Sequence, residues 1–345
     1  MNICLATYQS VLLLKGGPRT QILETERRLR ERGAHVTLFE SWNDFSPGAV
    51  DLVHIFGANI GTYHLARELH RLGVPLVVTP IFFTRHSKPL VRLVTGVSRR
   101  ISSLAPGFWS DYGLVAEICS WARAVLPNTS MEADLLVRGM GIPRDRVTVV
   151  PNGVDERFWH ADPAHFIEKY GVRDFVLNVG HVGPARKNVL RLIDALERIN
   201  VPSVIIGRSE DNEYARECRR RAERNPRLTL IDALPNDSPL LASAYAAASV
   251  FVLPSLFETP GIAALEAGLA GARIVVTKYG GTREYFGDEA VYVEPTAVEL
   301  IHHGIVTALN REKTDALRTR IRSNYLWTSI ADQCLELYQQ VLGGR

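Results

Sequence analysis

The amino-acid sequence predicts an α/β protein made of two doubly wound, Rossmann-like domains. Short apolar runs of strand length alternate with amphipathic helical stretches, a pattern typical of parallel sheets covered by helices. The alternation stops at the turn-forming segment 151–155 and then restarts, which indicates a second domain. With 345 residues, 46% of them hydrophobic, the chain is long and apolar enough to form two cores.

The first half of the chain contains the strands and helices of one such domain. The apolar runs predict strands at 3–6, 36–39, 52–56, 76–78, 125–126 and 147–150. Helices are predicted at 19–32 and 63–72, the second with Thr62 as its N-cap. Thr129 and Glu132 have capping-box spacing, which predicts the start of a later helix.

The second half repeats the alternation without repeating the sequence. Strands are predicted at 175–179, 203–206, 228–231, 250–253, 274–277 and 291–293, and helices at 189–198, 213–224, 239–247 and 261–269. Sheets of this kind bind ligands beyond the carboxyl ends of their strands. We therefore expect the two domains to face each other across a central cleft that holds the ligands.

Composition indicates a soluble globular protein without a strong overall charge. The net charge of +3 is too small to indicate nucleic acid binding. Residues 1–150 carry 17 Lys and Arg against 12 Asp and Glu, which favours an anionic partner there, or else a solvated basic face. The sequence shows no signal peptide, no membrane-spanning run and no metal or disulfide spacing of its cysteines, which predicts free thiols and a cytoplasmic location.

Two carboxylates separated by seven residues form the first candidate site. Glu258 and Glu266 flank Gly261, which would let a ligand approach the backbone at the start of a helix whose free amides face an anion. Glu266 would lie roughly 7 Å further along the axis, at about 1.5 Å per residue. A diphosphate at the helix start would thus place a sugar near Glu258 and a ribose near Glu266. The alternative is a surface loop in which Glu258 caps the helix and Glu266 is exposed.

The turn after the predicted strand 175–179 forms the second candidate site. Gly180 opens the turn, and Arg186 and Lys187 precede the next helix. Backbone amides, a guanidinium fork and an ammonium group are together typical of a phosphate site. Cations at a helix start oppose the helix dipole, and a bound anion would relieve that conflict. The alternative is a surface helix that begins with basic side chains.

Together these segments resemble the GT-B-fold glycosyltransferases, specifically retaining family 4, the glycosyl transferases group 1. The resemblance rests on the Glu-x7-Glu segment 258–266, the Arg-Lys pair at 186–187, Pro-Asn-Gly-Val-Asp at 151–155, Gly-Gly-x-x-Glu at 280–284 and the helical segment 327–342. It covers nearly the whole chain. It implies an acceptor-binding domain over 1–158 with 326–345, and a nucleotide-sugar-binding domain over 159–325.

The resemblance also implies an activity and a role for each candidate residue. A sugar would move, with retention and without a metal or other cofactor, from a UDP- or GDP-linked donor to a glycan or lipid-linked glycan, as in cell-surface polysaccharide assembly. Lys187 and Arg186 would hold the diphosphate, Glu258 the transferred sugar and Glu266 the ribose. Backbone groups would complete the donor site at Gly180, Gly261 and Ile262, and from the first domain at Gly16 and Gly17. The alternative for this last pair is a simple turn.

Two positions depart from the family pattern. His181 stands where the family usually has Arg, so that Arg186 would have to supply the charge, and Ile81 stands where many members have His. These departures leave two alternatives to an active transferase. One is a catalytically silent GT-B protein that binds a nucleotide sugar or a partner transferase. The other is a sugar-nucleotide epimerase on the same fold.

The segment 85–109 mixes cations with apolar residues. Its cationic residues and histidine are Arg85, His86, Lys88, Arg92, Arg99 and Arg100, and its apolar residues include Leu90, Val91, Leu93, Val94, Val97, Ile101, Phe108 and Trp109. This composition favours a peripheral contact with an anionic membrane surface, as a lipid-linked acceptor would require. The alternative is a mobile loop that covers the cleft with its charges in water.

Overall fold

The computed structural model describes residues 1–13, 16–104 and 109–343, with backbone alone at 102–104. The chain divides into two compact units. The first domain comprises Met1–Asn152 with Trp327–Arg345, and the second domain comprises Gly153–Leu326. Residues 153–158, which the sequence placed in the first domain, belong to the second, because Val154 pairs with Leu326 and Phe158 lies in the second domain's core.

The first domain is built on a parallel sheet with strand order β2-β1-β3-β4-β5. Its strands are β1 (Asn2–Thr7), β2 (His35–Leu38), β3 (Leu52–Phe56), β4 (Leu76–Thr79) and β5 (Ala124–Val125). Its helices are α1 (Gly17–Glu31), α2 (Ile60–Arg71), α3 (Lys88–Leu104), α4 (Asp111–Trp121), α5 (Ser130–Asp134) and, from the far end of the chain, α14 (Trp327–Gly343). Strand β3 lies at the centre and is buried throughout, which explains its uninterrupted apolar sequence around His54.

Helix α14 joins the first domain through specific contacts with α1 and β3. The guanidinium of Arg32, at the end of α1, pairs with both carboxylate oxygens of Asp332 and donates to the carbonyl oxygen of Thr328 at 2.5 Å. The buried imidazole of His54 lies between the Tyr338 hydroxyl, 2.6 Å from Nδ1, and the Thr79 hydroxyl, 2.9 Å from Nε2. The far end of the chain therefore completes the domain that its beginning forms.

The second domain is built on a parallel sheet with strand order β11-β10-β9-β6-β7-β8. Its strands are β6 (Phe175–Val179), β7 (Ser203–Ile206), β8 (Leu228–Ile231), β9 (Ala248–Leu253), β10 (Arg273–Thr277) and β11 (Val291–Val293). Its helices are α6 (Ala164–Tyr170), α7 (Val189–Leu196), α8 (Glu213–Arg224), α9 (Pro239–Ala247), α10 (Ile262–Leu269), α11 (Thr282–Phe286), α12 (Val298–Asn310) and α13 (Ala316–Asn324).

The core of the second domain lies on both faces of its sheet. Successive residues of β9 alternate between the two sides: Phe251 and Leu253 pack into one apolar cluster, and Val250 and Val252 into the other. This alternation is the two-residue period of a strand with helices on both faces. It confirms the predicted doubly wound α/β architecture, whereas the arrangement of the two domains across a cleft stays a prediction.

Three local predictions for the first domain were wrong. Residues 147–150 form no strand, because β5 is short and Val147 makes an isolated bridge to Val125. Thr62 is not the N-cap of α2. The cap is Asn59, whose Oδ1 accepts from the N–H of Gly61, while the Thr62 hydroxyl accepts from the N–H of Asn59. Residues 88–104, for which a mobile loop was the alternative, form helix α3.

Candidate active site

The predicted site residues of the second domain meet at the carboxyl edge of its sheet. Strands β6, β9 and β10 are neighbours, and each ends at this edge. The segments that follow them are 180–188, 254–261 and 278–281. The two candidate motifs, which are far apart in the sequence, therefore lie next to each other in the fold, as expected for a doubly wound sheet.

A single asparagine fixes the cation-bearing turn. Ala185–Lys187 forms a short 3₁₀ turn, and Asn188 follows it in a left-handed conformation with φ +60°. The buried side-chain amide of Asn188 donates to the carbonyl oxygens of Pro254 at 2.9 Å and Pro295 at 2.6 Å. These bonds tie the turn to the segments that follow β9 and β11, so the backbone carrying Arg186 and Lys187 is held in place.

Glu258 and Lys187 form a largely buried ion pair in this structure. The Lys187 Nζ lies 2.6 Å from Glu258 Oε1, and Arg186 approaches the same oxygen at 3.5 Å. Burial alone would raise the pKa of Glu258, but the charges of Lys187 and Arg186 outweigh it and hold that pKa below its usual value. Glu258 is thus an ionised acceptor, and it offsets the cations at the start of α7. The alternative in which Glu258 lies in a surface loop is wrong.

The Gly-Gly turn at 280–281 holds Glu258 in position. The N–H of Glu258 donates to the carbonyl oxygen of Tyr279 at 3.1 Å, and the N–H of Gly281 donates to the carbonyl oxygen of Glu258 at 3.0 Å. Gly280 has φ +102°, and a Cβ there would lie 1.8 Å from the Glu258 carbonyl oxygen. Glycine is therefore required at 280. Motif spacing identified this turn, but its contact with Glu258 has no local sequence signal.

Gly261 shapes the start of α10. It has φ +80° and is the N-cap of the helix, and a Cβ there would lie 2.6 Å from Leu253 Cδ2. Ile262 is the first residue of α10, one turn before Glu266. The amides at this helix start have no partner within the helix and suit an anion. Gly180, by contrast, has open space where a Cβ would be, but its N–H already donates to the carbonyl oxygen of Ile206 at 3.0 Å.

Glu266 is buried, so the alternative that places it on the surface is wrong. The Tyr245 hydroxyl donates to Oε2 at 2.8 Å, and the Asn236 side-chain amide donates to Oε1 at 2.9 Å. Burial, with the neighbouring carboxylate, raises the pKa of Tyr245 well above its usual value, so this hydroxyl stays a donor. Sequence reasoning missed Tyr245 and Asn236, since nothing in α9 or its preceding loop distinguishes them.

Glu294, an acidic group that follows β11 near this edge, is paired with its own neighbours. The Tyr279 hydroxyl donates to Glu294 at 2.6 Å and Lys278 Nζ lies 3.1 Å away, which lowers the pKa of Glu294 to about 2. Within 1–13, 16–104 and 109–343, no group of three or more His, Cys, Asp or Glu side chains could hold a metal ion. The four cysteines are buried free thiols.

The predicted site residues Gly16 and Gly17 of the first domain lie together at the start of α1, and Ile81, which departs from the family pattern, lies on a separate segment. Gly16, in extended conformation, is the N-cap of α1 and Gly17 its first residue, whereas Leu14 and Lys15 lie outside the described residues. Ile81 follows β4 with φ +53°. The structure places these residues but does not test their contact with a donor, which stays a prediction.

The 85–109 segment is partly described. His86 hydrogen-bonds through Nδ1 to the Tyr112 hydroxyl, and Trp109 is about half exposed. Phe108, which the sequence grouped with them, lies outside the described residues. Across the residues that the structure describes, no helix combines the length and the apolar composition that crossing a bilayer requires.

Comparison with solved structures shows the fold that this chain adopts. Sucrose-phosphate synthase from Thermosynechococcus elongatus matches with a TM-score of 0.79 and 19% identity, over 100% of both chains. HepE from Anabaena, solved with UDP and glucose, matches with a TM-score of 0.73 and 18% identity, over 99% of this chain and 100% of that one. The fold is that of the GT-B glycosyltransferases.

Sequence comparison then shows the family. The family described as "Glycosyl transferases group 1" matches residues 165–325, and the "Glycosyl transferase 4-like domain" matches residues 45–153. Alpha-maltose-1-phosphate synthase from Mycolicibacterium smegmatis is 26% identical over 331 residues, which cover 83% of this chain and 85% of that protein. The chain belongs to the group 1 glycosyltransferases of family GT4, which confirms the resemblance inferred from its motifs.

Proposed function

We propose that this glycosyltransferase takes a sugar from a nucleotide-diphosphate donor bound to its second domain and transfers it to a hydroxyl of a glycan or glycolipid. The observation that carries the proposal is the Lys187–Glu258 pair, 2.6 Å apart at the carboxyl edge and followed by the start of α10. Two cations, Arg186 and Lys187, meet one carboxylate there, so one positive charge is left uncompensated among these three groups. That surplus and the amides of α10 suit a diphosphate.

The donor would lie along α10. Its diphosphate would contact Lys187 and the amides at Gly261 and Ile262, its sugar hydroxyls would reach Glu258, and its ribose would reach Glu266. A carboxylate only accepts hydrogen bonds, which suits both hydroxyl-bearing groups. HepE was solved with UDP and glucose, and this supports UDP-linked sugars as the first donors to test, with GDP-linked sugars second.

The transfer is proposed to retain the anomeric configuration. The bond between the anomeric carbon and the leaving phosphate oxygen breaks, the acceptor oxygen bonds to that carbon on the same face, and a diphosphate oxygen takes the acceptor proton. Lys187 and Arg186 stabilise the charge on the leaving diphosphate, and the protein holds the two reactants in place. Because these cations and amides already offset the diphosphate charge, the reaction is proposed to need no metal.

Nucleotide release from candidate donors tests this proposal. The purified protein is incubated with UDP- and GDP-linked sugars, with and without EDTA, and both nucleotide release and the remaining donor are measured. Release that persists in EDTA and falls in Lys187→Met is expected. An Arg198→Met variant, which breaks a surface pair with Glu299, is the matched control. Binding without release would favour the catalytically silent alternative, and donor isomerisation without acceptor would favour the epimerase.

We further propose that the acceptor is presented at an anionic membrane that α3 contacts. Helix α3 buries Val91 and exposes Leu90, Leu93 and Val97 along one side. The exposed cations Arg92 and Arg99, seven residues apart, share a different side of the helix, and Arg100 continues the apolar row after Val97. An exposed surface with an apolar row and a basic row is the form of helices that lie in a bilayer interface.

Exposed apolar residues in other loops of the first domain support an acceptor with an apolar part. Leu12 follows β1, Trp42 follows β2 with 97% of its surface exposed, and Ile60 follows β3. In a parallel sheet these loops share the carboxyl edge, where ligands bind. A lipid-linked glycan would give these side chains an apolar partner, and work on such acceptors would fit cell-surface polysaccharide assembly at the cytoplasmic membrane face.

Co-sedimentation with vesicles tests the membrane contact. The protein is expected to pellet with phosphatidylglycerol-containing vesicles at low salt, and to be released at high salt, because each basic residue near the surface contributes about 1 kcal/mol that salt screens. A Leu93→Ser, Val97→Ser variant should stay in the supernatant. Leu72→Ser removes an equally exposed leucine at the end of α2 and should still pellet. Wild-type protein that does not pellet at low salt would make a soluble acceptor the better assignment.

A further inference from the structure

The carboxylate of Glu266 is held at both of its oxygens by neutral donors. Tyr245 donates to Oε2 at 2.8 Å and Asn236 donates to Oε1 at 2.9 Å. A carboxylate only accepts hydrogen bonds, and one bond to each oxygen fixes the plane of the group. The group is therefore oriented before any ligand arrives.

Tyr245 is fixed by its surroundings. It is fully buried in α9, with the rings of Phe158 at 5.6 Å and Phe251 at 5.9 Å, both edge to face. Such ring contacts restrict the side chain to one orientation, which aims its hydroxyl at Glu266. Glu266 itself lies on α10, so this hydrogen bond joins two helices of the second domain.

Asn236 reaches Glu266 from an exposed loop that a second contact holds. Arg157 donates to the backbone carbonyl oxygen of Asn236 and lies 3.4 Å from its Oδ1. Arg157 is positioned in turn by Asp155, whose carboxylate accepts from the Arg157 N–H at 3.0 Å. The Gly-Val-Asp segment 153–155 that opens the second domain is thus connected to Glu266 through the side chains of Arg157 and Asn236.

We infer that Tyr245 and Asn236 are positioning residues for ribose recognition. They hold the Glu266 carboxylate in an orientation in which it accepts a hydrogen bond from a ribose hydroxyl of the nucleotide. The inference rests on the proposed function, because it needs a nucleotide donor with its ribose at Glu266. It adds that ribose recognition depends on two residues outside the Glu-x7-Glu motif. Losing either hydrogen bond to Glu266 should weaken binding of the ribose hydroxyl and leave the diphosphate contact intact.

The test compares nucleotides with and without ribose hydroxyls. Calorimetry measures the affinity of UDP and GDP, and of their 2′-deoxy and 3′-deoxy forms, for the wild type, Tyr245→Phe and Asn236→Ala. Wild type should prefer the ribonucleotide over one deoxy form by about tenfold or more, as expected for a hydrogen bond to a charged group. In both variants the ratio of ribonucleotide affinity to deoxynucleotide affinity should fall toward one, because ribonucleotide affinity is reduced and deoxynucleotide affinity is nearly unchanged.

Controls separate positioning from general damage. Tyr325→Phe removes a partly buried hydroxyl of the same domain, which donates to the Glu284 carbonyl oxygen at 2.9 Å. This variant should leave the preference for the ribonucleotide unchanged. If Tyr245→Phe fails to fold, Asn236→Ala, on an exposed loop, carries the test. An unchanged preference in variants that still bind overturns the inference alone. A wild type that binds neither UDP nor GDP overturns the proposed function, and the inference with it.

Discussion

Replacing Lys187 with methionine removes the ammonium group of the central ion pair and keeps most of the aliphatic stem. Glu258, whose carboxylate is almost fully buried, would then keep Arg186 at 3.5 Å, on a side chain that is 40% exposed. Breaking a buried pair outright costs about 3–5 kcal/mol. Because Arg186 remains and solvent reaches the site, we expect a loss of about 2 kcal/mol, which is about 4–8 °C in the unfolding temperature of a domain of this size.

The pH dependence of this loss has a definite sign. In the wild type the pKa of Glu258 is held below its usual value, so the stabilisation is present at neutral pH and disappears as the pH falls through that lowered pKa. In Lys187→Met the buried carboxyl has lost its main partner, and its pKa rises. The difference in unfolding temperature should therefore be largest at neutral pH and shrink as the pH is lowered below the ordinary pKa of Glu, about 4.3.

Differential scanning calorimetry at pH 7.5 and at pH 4 measures this difference. Adding Glu258→Gln to Lys187→Met removes the unpaired charge and should recover much of the lost stability. The Arg198→Met control breaks an exposed surface pair and should leave the unfolding temperature unchanged. Equal unfolding temperatures for wild type and Lys187→Met at pH 7.5, or no recovery in the double variant, would refute the charge-pair reasoning.

Other predictions follow from the same structure. Glu258→Gln should lower transfer while UDP or GDP affinity by calorimetry stays nearly the same, since the phosphate contact is assigned to Lys187; equal loss of both would place Glu258 elsewhere. Gly280→Ala should abolish the native thermal transition of the second domain because its Cβ would lie 1.8 Å from a carbonyl oxygen, whereas Gly180→Ala meets no atom within 4 Å and should unfold like wild type. Burial lowers the pKa of His54 to about 3, so stability should fall with pH from about 6.5 downward, and His54→Gln should flatten this slope of unfolding temperature against pH.

Much of the fold could be predicted because both faces of each sheet are buried. Strands such as β3 and β6 are apolar at the predicted positions except for the buried His54 and Asn178, since a central parallel strand has no polar face. The prediction failed at the start of helix α2, because that boundary depends on one local hydrogen bond. Asn59 rather than Thr62 caps α2, and both residue types are good caps, so the choice between them is made by the loop geometry after β3.

The candidate site was only partly predictable for a different reason. Glu258, Lys187 and Gly261 stand next to turn and helix-start signals, and these signals imply an anion site. Tyr245 lies in α9, where the sequence does not distinguish it from the apolar residues around it. Its role depends on a hydrogen bond from its hydroxyl to Glu266 on another helix, α10. Asn236 has the composition of any loop residue. Contacts between segments distant in the chain carry no local pattern, so they require coordinates.

The first domain draws on both ends of the chain, and this affects the order in which the protein can fold. Domains are generally completed from the N-terminus during synthesis. Here the contiguous stretch Gly153–Leu326 can form its whole sheet while the earlier-made domain still lacks α14. Until Tyr338 has been synthesised, the buried His54 has no partner at Nδ1. We therefore expect nascent chains to expose part of the first domain longest, and removal of α14 to destabilise the first domain more than the second.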